Sequence, residues 1–438
     1  MKSYFYRLAD FANARIEDSE VLLLSFVGES SDFCRFNHNA VRQAGKVNDK
    51  RLVIKLIQGL RHNSCSLSLS LDFSNDQSKI ESYLQELRRS LQVLPEDPHL
   101  LYSTEVVSTE LVEGNELSDA KDVVAEIIDI AKGIDLVGIY ASGGIFRGFA
   151  NSLGQRNWFE KYTFNFDWSA HLHADKAAKS CYAGTKWDSN VFSAQVDEVR
   201  KHLTILERKA KTIEPGSYRA YLAPAAISEI MSMLSWYSFG EKSFRTKQSA
   251  LIKMLEEKQQ LSEKLTISEN KKGGIEPPFD SNGFTMPEKV VLIDQGVLTG
   301  SLISPRTAKE YDLSPNNGNE ALGSLQIEAG DLAREHVISE LDTGVYISNL
   351  WYLNFSDVSN CKLTGMTRFG CFWVEGGEII APVNVMRFDD SLYRLFGKHL
   401  LALTKEREYI LDSATYDRRS VGSDRLPGAL VNEMRFTL

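Results

Sequence analysis

Residues 371–380 have the sequence CFWVEGGEII, in which two short apolar runs flank a pair of glycines. Gly376 and Gly377 tolerate the positive φ angles of a two-residue hairpin turn, so the stretch predicts two antiparallel strands. Gly296 stands between two apolar runs in the same way and predicts a second hairpin. Working outward, the same pattern predicts strands at 288–293, 297–303, 324–328, 344–350, 371–375, 378–381 and 383–388.

The chain before this region predicts a different mixture of elements. A short strand at 218–223, a helix at about 224–239 and a charged helical stretch to about 265 precede the strands. In the first half, Ser118 is predicted to cap a helix, and Gly143-Gly144 is predicted to form a hairpin turn. The first half is predicted to have helices at 4–16, 76–93, 118–132 and 190–212, and strands at 20–26, 51–57, 65–73, 135–141, 145–150 and 161–173.

This order of elements predicts an α+β fold rather than an alternating α/β one. Gly216 marks the predicted boundary between two domains. We expect residues 1–215 to form an N-terminal α/β domain with antiparallel strands and flanking helices. Residues 216–438 are expected to form a β-rich C-terminal domain.

Composition restricts the function classes. With 59 acidic and 50 basic residues the net charge is −9, which disfavours binding to nucleic-acid phosphates. The five cysteines are scattered without a CxxC pair, so neither a disulfide framework nor a zinc ribbon is predicted, and a reducing cytoplasm is expected. The sequence has no uninterrupted run of 18 apolar residues, so no membrane span is predicted.

Four stretches, in order, resemble the TldD/PmbA family, also called modulators of DNA gyrase. The first runs from Arg35-Phe36-Asn37 to VRQAG at 41–45. The second joins DSNG at 280–283 to LIDQGVLTG at 292–300. The third joins LQIEAG at 325–330 to GVYISNL at 344–350, and the fourth comprises Thr364-Gly365, FWVEGGEI at 372–379 and Pro382-Val383. The resemblance implies a dimeric assembly and peptidase chemistry.

Catalytic members of that family have an H-E-x-x-x-H helix, in which imidazoles hold zinc and a glutamate polarises the bound water. The matching helix here, residues 223–237, has no histidine. It has one glutamate, Glu229, among Ser228, Ser232 and Tyr237, and its apolar stripe is typical of a core helix. The family's C-terminal cysteine ligand is also missing, because residues 400–438 contain no cysteine.

These departures resemble the TldE (PmbA) branch, so no catalytic residue and no cofactor is predicted. The expected partners are a second copy of this chain or a TldD-like catalytic chain, together with a peptide substrate. Nucleic acid and membrane are not expected as partners.

Other patterns suggest weaker sites. His171 and His173 share one face of a predicted strand, a spacing that can hold a transition metal, although two polar residues on a solvated face explain it better. Trp351, Arg368, Trp373, Glu375 and Glu378 are candidate contacts for a substrate or partner, and ordinary core and turn roles are the alternative.

Three hypotheses for function remain open at this point. The first is a metal-free subunit of a peptidase system. The second is an active metallopeptidase with unconventional ligands, such as His171 and His173. The third is a scaffold or binding protein with no proteolytic role.

Overall fold

The computed structural model describes residues 1–236, 238–415 and 418–437. Within these ranges, strands between residues 20 and 184 form one sheet, and strands between residues 216 and 436 form a second, larger sheet. The predicted α+β class with a β-rich second half is therefore confirmed. No helix in these ranges is long and apolar enough to cross a membrane.

The first sheet has the strand order β3-β2-β1-β5-β6-β4, and β7 also pairs with β6. All of its pairs are antiparallel except β4 with β6. Its strands are β1 (Glu20–Asn37), β2 (Ala40–Gln58), β3 (Arg61–Ser68), β4 (Thr109–Val112), β5 (Asp135–Asn151), β6 (Arg156–His173) and β7 (Lys176–Gly184). The helices of this half are α1 (Lys2–Asn13), α2 (Phe73–Leu91), α3 (Ala120–Ile130) and α4 (Ser189–Leu206).

The two faces of the first sheet have different neighbours. Even-numbered side chains of β1, β5 and β6 pack against the helices, because side chains alternate along a strand. Trp158 stacks on Phe5 of α1, and Phe166 packs against Phe192 of α4. Odd-numbered side chains such as Thr163 therefore lie on the opposite face, where they meet the second half of the chain.

The prediction of a hairpin turn at Gly143-Gly144 is wrong. Both glycines lie in the middle of β5, between Ser30 and Ser31 of β1 on one side and β6 on the other. Gly143 has φ +147, and a Cβ atom there would lie 2.2 Å from the carbonyl oxygen of Ser30. Glycine is needed at this position because two backbones approach closely, not because the chain reverses.

Two other boundaries in this half also need correction. The strand predicted at 65–73 ends at Ser68, because the Asp76 carboxylate accepts hydrogen bonds from the backbone N–H groups of Ser70 and Leu71 and turns the chain into α2. The cap of α3 is Asp119, not Ser118, because the Asp119 carboxylate accepts from the backbone N–H of Lys121 at 2.8 Å.

Asp119→Ala is expected to lower the free energy of unfolding by about 1 kcal/mol, because it leaves the first turn of α3 without its acceptor. Ser118→Ala is the matched control and is expected to change it by less than about 0.5 kcal/mol, since Ser118 is exposed. Urea unfolding of both variants measures the difference. Equal losses for the two would show that Asp119 is not the cap.

The second sheet has the order β11-β10-β9-β12-β20-β8-β13-β16-β17, and β20 also pairs with β18 and β19. Its strands are β8 (Gly216–Leu222), β9 (Ile267–Asn270), β10 (Lys289–Asp294), β11 (Val297–Leu298), β12 (Ser324–Ile327), β13 (Gly344–Ile347), β14 (Asn349–Asp357), β15 (Lys362–Arg368), β16 (Phe372–Glu375), β17 (Glu378–Pro382), β18 (Arg387–Ser391), β19 (Leu400–Leu411) and β20 (Ser423–Phe436). Its helices are α5 (Pro224–Ser235), α6 (Glu241–Arg245), α7 (Ile252–Glu256), α8 (Pro305–Tyr311) and α9 (Val337–Leu341).

Both glycine hairpins predicted in this half are confirmed. Gly296, at φ +80, lies in the turn between β10 and β11, and Gly376 and Gly377, at φ +62 and +77, join β16 to β17. The charged helical stretch predicted up to residue 265 is wrong. Only α6 and α7 form there, because Lys247 and Lys258 adopt left-handed backbone conformations that end each helical segment.

Helix α5 is enclosed by the second sheet on its apolar side. The stripe formed by Ile227, Ile230, Met231 and Leu234 is at most 1% exposed, which confirms its prediction as core. Pro224 at the first helical position needs no hydrogen-bond acceptor and starts the helix directly after β8. The opposite side of α5 is polar and faces away from this core.

A buried arginine ties the two halves together. Arg419, between β19 and β20, donates hydrogen bonds to the backbone oxygens of Thr163 and Gly143 and to the Thr163 hydroxyl. Its backbone N–H donates to the Glu29 carboxylate at 2.8 Å. The chain between β19 and β20 therefore lies against the odd-numbered face of the first sheet.

Candidate functional site

A cleft of about 420 Å³ lies between the two sheets, within the size range of small-molecule and peptide-binding pockets. One wall is the odd-numbered face of β6 and the adjoining β7, which contribute Asn165, Asp167, Lys179 and Cys181. The opposite wall is the polar side of α5. The ends of β19 and β20 close the base of the cleft with Asp412 and Asp424.

The polar side of α5 carries the residues predicted from the family resemblance. Ser228, Glu229 and Ser232 all line the cleft. Ser228 donates its hydroxyl hydrogen bond to the Asp424 carboxylate at 2.5 Å, while the Glu229 and Ser232 side chains are exposed to the cleft. The fourth predicted residue of this helix, Tyr237, lies outside the described residues.

Burial dominates the electrostatics of the cleft. Desolvation raises the pKa of the Asp424 carboxyl to about 6, even though the Ser228 hydrogen bond lowers it, and the nearby Asp412 raises it further. Desolvation also raises the pKa of Glu229. Both carboxylates therefore hold their charge less readily than they would in water.

Asp167 and Lys179 form the ion pair of the cleft, with 3.0 Å between the carboxylate and ammonium groups. The pair links β6 to β7. Asp167 is opposite Cys181 in the ladder, and Lys179 is two residues before Cys181 on the same face of β7. Desolvation raises the pKa of the Cys181 thiol well above its usual range, so this thiol stays protonated and is a weak nucleophile.

A second cavity of about 90 Å³ adjoins the cleft and shares Lys179, Cys181 and Asn349 with it. Within it Arg334 pairs with Glu198 at 3.3 Å and with Glu408 at 3.2 Å. The cleft and the second cavity together form one groove along β7.

The residues of the cleft do not fit a zinc ion of the kind that H-E-x-x-x-H proteins hold. The described residues of the lining offer hydroxyls, carboxylates and one protonated thiol, but no imidazole. Across residues 1–236, 238–415 and 418–437, no group of three His, Cys, Asp or Glu side chains is placed to hold a metal ion. His171 and His173 are exposed at the end of β6, outside this cleft, and His171 lies 3.3 Å from the Ser169 hydroxyl.

The remaining predicted contacts form two clusters outside the cleft. On β14 and β15, the Arg368 guanidinium lies 4.2 Å from the ring centre of Trp351, which is 49% exposed. On β16, Trp373 is buried, and its indole N–H donates to the Glu375 carboxylate at 3.0 Å. Glu378 is exposed across the hairpin from Glu375.

Most residues of the cleft cannot be recognised from the sequence. Asp167, Lys179, Asn349, Asp412 and Asp424 come from five separate strands or strand ends, so no window of sequence shows them together. The one local signal is the pair Asp167 and Lys179, which are diagonal neighbours on two adjacent strands.

This chain is similar to known proteins in both sequence and structure. The sequence pattern described as the PmbA/TldA metallopeptidase C-terminal domain matches residues 215–438. The Metalloprotease PmbA of Escherichia coli O157:H7 is 31% identical over 138 residues, which are 31% of this chain and only 30% of that relative's length.

Solved structures are similar over the whole chain. TldE from Thermococcus kodakarensis has a TM-score of 0.78 at 15% identity, covering 100% of both chains. A candidate modulator of a DNA gyrase from Thermotoga maritima has a TM-score of 0.77 at 17% identity, covering 99% of both chains. At these identities the likeness establishes the fold alone.

Proposed function

The chain belongs to the PmbA/TldD metallopeptidase family, and on that premise we propose that it is a non-catalytic subunit of a peptidase system. In this role it binds extended peptide in the groove along β7 and docks a TldD-like catalytic chain. That chain supplies the metal centre, whose chemistry is to polarise a water for attack on a peptide bond.

One observation supports this proposal above the others. The polar side of α5 faces a cleft of substrate size, yet it presents Ser228, Glu229 and Ser232 in place of imidazole ligands. A family site that keeps its cleft and has other side chains in place of the metal ligands is suited to binding rather than to hydrolysis. The homology covers the C-terminal half that contains α5.

The groove also has the form that an extended peptide needs. Its side wall is β7, and Asn349 stands where the cleft meets the second cavity. Main-chain groups of a bound peptide can hydrogen-bond along such a wall while its side chains enter the cavities. We infer that the substrates are short or unfolded peptides.

The docking surface for the catalytic chain is proposed on β14 and β15. Trp351 and Tyr352 are 49% and 76% exposed, with Arg368 stacked on Trp351. Aromatic and arginine side chains of this kind are enriched at protein interfaces. A homodimer through the same surface is the alternative arrangement.

Two further assignments accompany the proposal. All five cysteines are free, which supports a reducing, cytoplasmic location. We also propose that residues 1–215 and 216–438 are the two domains of the chain, since each range contains its own sheet.

The test measures peptide hydrolysis by the purified chain, by a catalytic family member with the H-E-x-x-x-H helix, and by their mixture. We expect no hydrolysis above buffer for this chain alone, and at least about a tenfold increase when it is added to the catalytic member, since a completed groove holds substrate at the metal centre. A chelator is expected to abolish the activity of the mixture.

The His171→Ala/His173→Ala double variant is the matched control. It is expected to support hydrolysis by the mixture within about twofold of the unmodified chain, because both histidines are exposed outside the cleft. Chelator-sensitive hydrolysis by this chain alone, lost in the double variant, would instead establish a metallopeptidase with unconventional ligands. No effect of the chain on its partner would support a scaffold role.

A further inference from the structure

The cleft beside α5 has an unbalanced set of charges. Four carboxylates line it, from Asp167, Glu229, Asp412 and Asp424, whereas Lys179 is the cation among its described lining residues. Lys179 is already paired with Asp167 at 3.0 Å. Three carboxylates, from α5, from the residue after β19 and from β20, therefore face the same space without a cationic partner in the described part of the lining.

The three carboxylates differ in how they are held. Asp424 accepts the Ser228 hydroxyl, and Asp412 accepts the backbone N–H of Ala414 at 2.9 Å. The Glu229 side chain has no hydrogen bond within the described residues and is open to the cleft. The acceptors that remain on all three point to a ligand with several N–H donors.

An independent observation at the same place also indicates a ligand. Asn349 is only 8% exposed, lines both the cleft and the second cavity, and its amide forms no hydrogen bond with the described residues. Ser423, 5% exposed and next to Asp424, likewise has a hydroxyl without a partner. Buried polar groups are almost always hydrogen-bonded, so an unpaired amide at a cavity wall is suited to a ligand's peptide group.

Keeping these carboxylates in the cleft costs stability when nothing is bound. Desolvation and repulsion by Asp412 raise the pKa of Asp424, and desolvation raises the pKa of Glu229, so the charged forms of these two carboxyls are disfavoured. A cation in the cleft relieves both effects, because an opposite charge nearby favours the ionised carboxylate. A bound cation would therefore offset this cost.

We propose that the cleft binds a peptide through a cationic group, either its N-terminal ammonium or a lysine side chain, held by Asp424, Glu229 and Asp412. The Asn349 amide then pairs with the adjoining peptide group, and the rest of the peptide follows the groove toward the second cavity. This inference rests on the proposed function and names the class of peptide that the groove selects.

An ammonium group fits this cleft better than a metal ion. The described residues contain no group of three side chains placed to coordinate a metal. The cleft also has apolar surface from Leu322 and Trp236, which suits the methylene groups of a lysine or the side chain that follows an N-terminus.

The test is binding of labelled peptides to the full chain by fluorescence anisotropy. One lysine-containing peptide carries its label at the C-terminus. It is compared with three derivatives: the N-acetylated peptide, the peptide with norleucine in place of lysine, and the peptide with both changes. The doubly neutral peptide is expected to bind at least about tenfold more weakly, because it leaves the cleft carboxylates unpaired. Loss on acetylation alone identifies the N-terminus, and loss on norleucine substitution alone identifies the side chain.

The variant Asp424→Asn is expected to weaken binding of the cationic peptide at least about tenfold and to leave binding of the doubly neutral peptide unchanged. Asp122→Asn, exposed on α3, removes the same charge outside the cleft and is the matched control. Circular dichroism melts check that both variants are folded.

Two results would overturn the inference: equal affinity for the charged and doubly neutral peptides, or no measurable binding of any of them. Its failure is distinguishable from failure of the proposed function. A chain that stimulates a catalytic partner but binds peptides without regard to charge keeps its role and loses this specificity. A chain that selects cationic peptides but never stimulates hydrolysis is a binding protein.

Discussion

Gly143→Ala is expected to lower the free energy of unfolding by at least about 3 kcal/mol, the largest effect that we expect from a single methyl group. Gly143 has φ +147, a region closed to other residues, and the added Cβ atom would stand 2.2 Å from the Ser30 carbonyl oxygen. The contact is with backbone atoms of Ser30 and Ser31 in β1, so no side-chain rotation relieves it. Relief requires the strands β1 and β5 to separate.

Gly114→Ala is the control, because a Cβ atom at Gly114 meets nothing within 4 Å. It is expected to be neutral within about 0.5 kcal/mol. Urea unfolding, followed by circular dichroism, measures both variants. If Gly143→Ala unfolds at the urea concentration of the unmodified chain, the close approach of β1 and β5 at this position is wrong.

The second large effect has the opposite sign. Asp424→Asn is expected to raise the free energy of unfolding at pH 7 by about 2–3 kcal/mol, because asparagine keeps an acceptor for Ser228 and removes a buried charge. Burial raises the pKa of Asp424 from 3.8 to about 6 in the folded chain. Between these values the folded chain binds more protons than the unfolded chain, so stability falls as pH rises.

The advantage of Asp424→Asn should therefore be small below pH 4 and complete above about pH 6.5. Unfolding free energies of the unmodified chain and the variant, measured at several pH values from 4 to 8, give this profile. A constant difference across that range, or a loss of stability at pH 7, would mean that Asp424 is not a desolvated carboxylate. Such a stabilising substitution is typical of residues kept for binding.

The sequence predicts some elements of the fold well and others poorly, for identifiable physical reasons. The sequence predicts the hairpins at Gly296 and Gly376-Gly377 correctly, because in each case the glycine turn lies between two apolar strands of ordinary length. Gly143-Gly144 gives the same local signal, yet it meets a different need: close contact between neighbouring backbones. Only the partner strands distinguish the two cases.

The longest strands of the second half were missed altogether. Neither β19 nor β20 shows the alternation of a half-buried strand. In β20 the reason is its central position in the sheet, where Pro427 and Gly428 lie among buried residues. Propensity argues against a strand at such residues, and the four neighbouring strands override it.

The candidate site was predicted in part. The polar residues of α5 were selected from a family resemblance, and the structure places Ser228, Glu229 and Ser232 on the wall of the cleft. Asp424 and Asn349 cannot be selected from the sequence, because Asp424 is important as a desolvated carboxylate without a cationic partner in the described lining of the cleft, and Asn349 as a buried amide at its wall. Both are properties of the assembled sheets, not of any short stretch of sequence.

The central position of β20 also has a consequence for biosynthesis. Residues 423–436 form ladders with β8, β12, β18 and β19. During synthesis, the backbone edges of these four strands that pair with β20 stay unpaired until residues 423–436 emerge from the ribosomal exit tunnel. A nascent chain stalled before residue 423 would expose unpaired strands and attract chaperones or aggregate. Premature stop codons late in the reading frame should thus be as damaging as early ones.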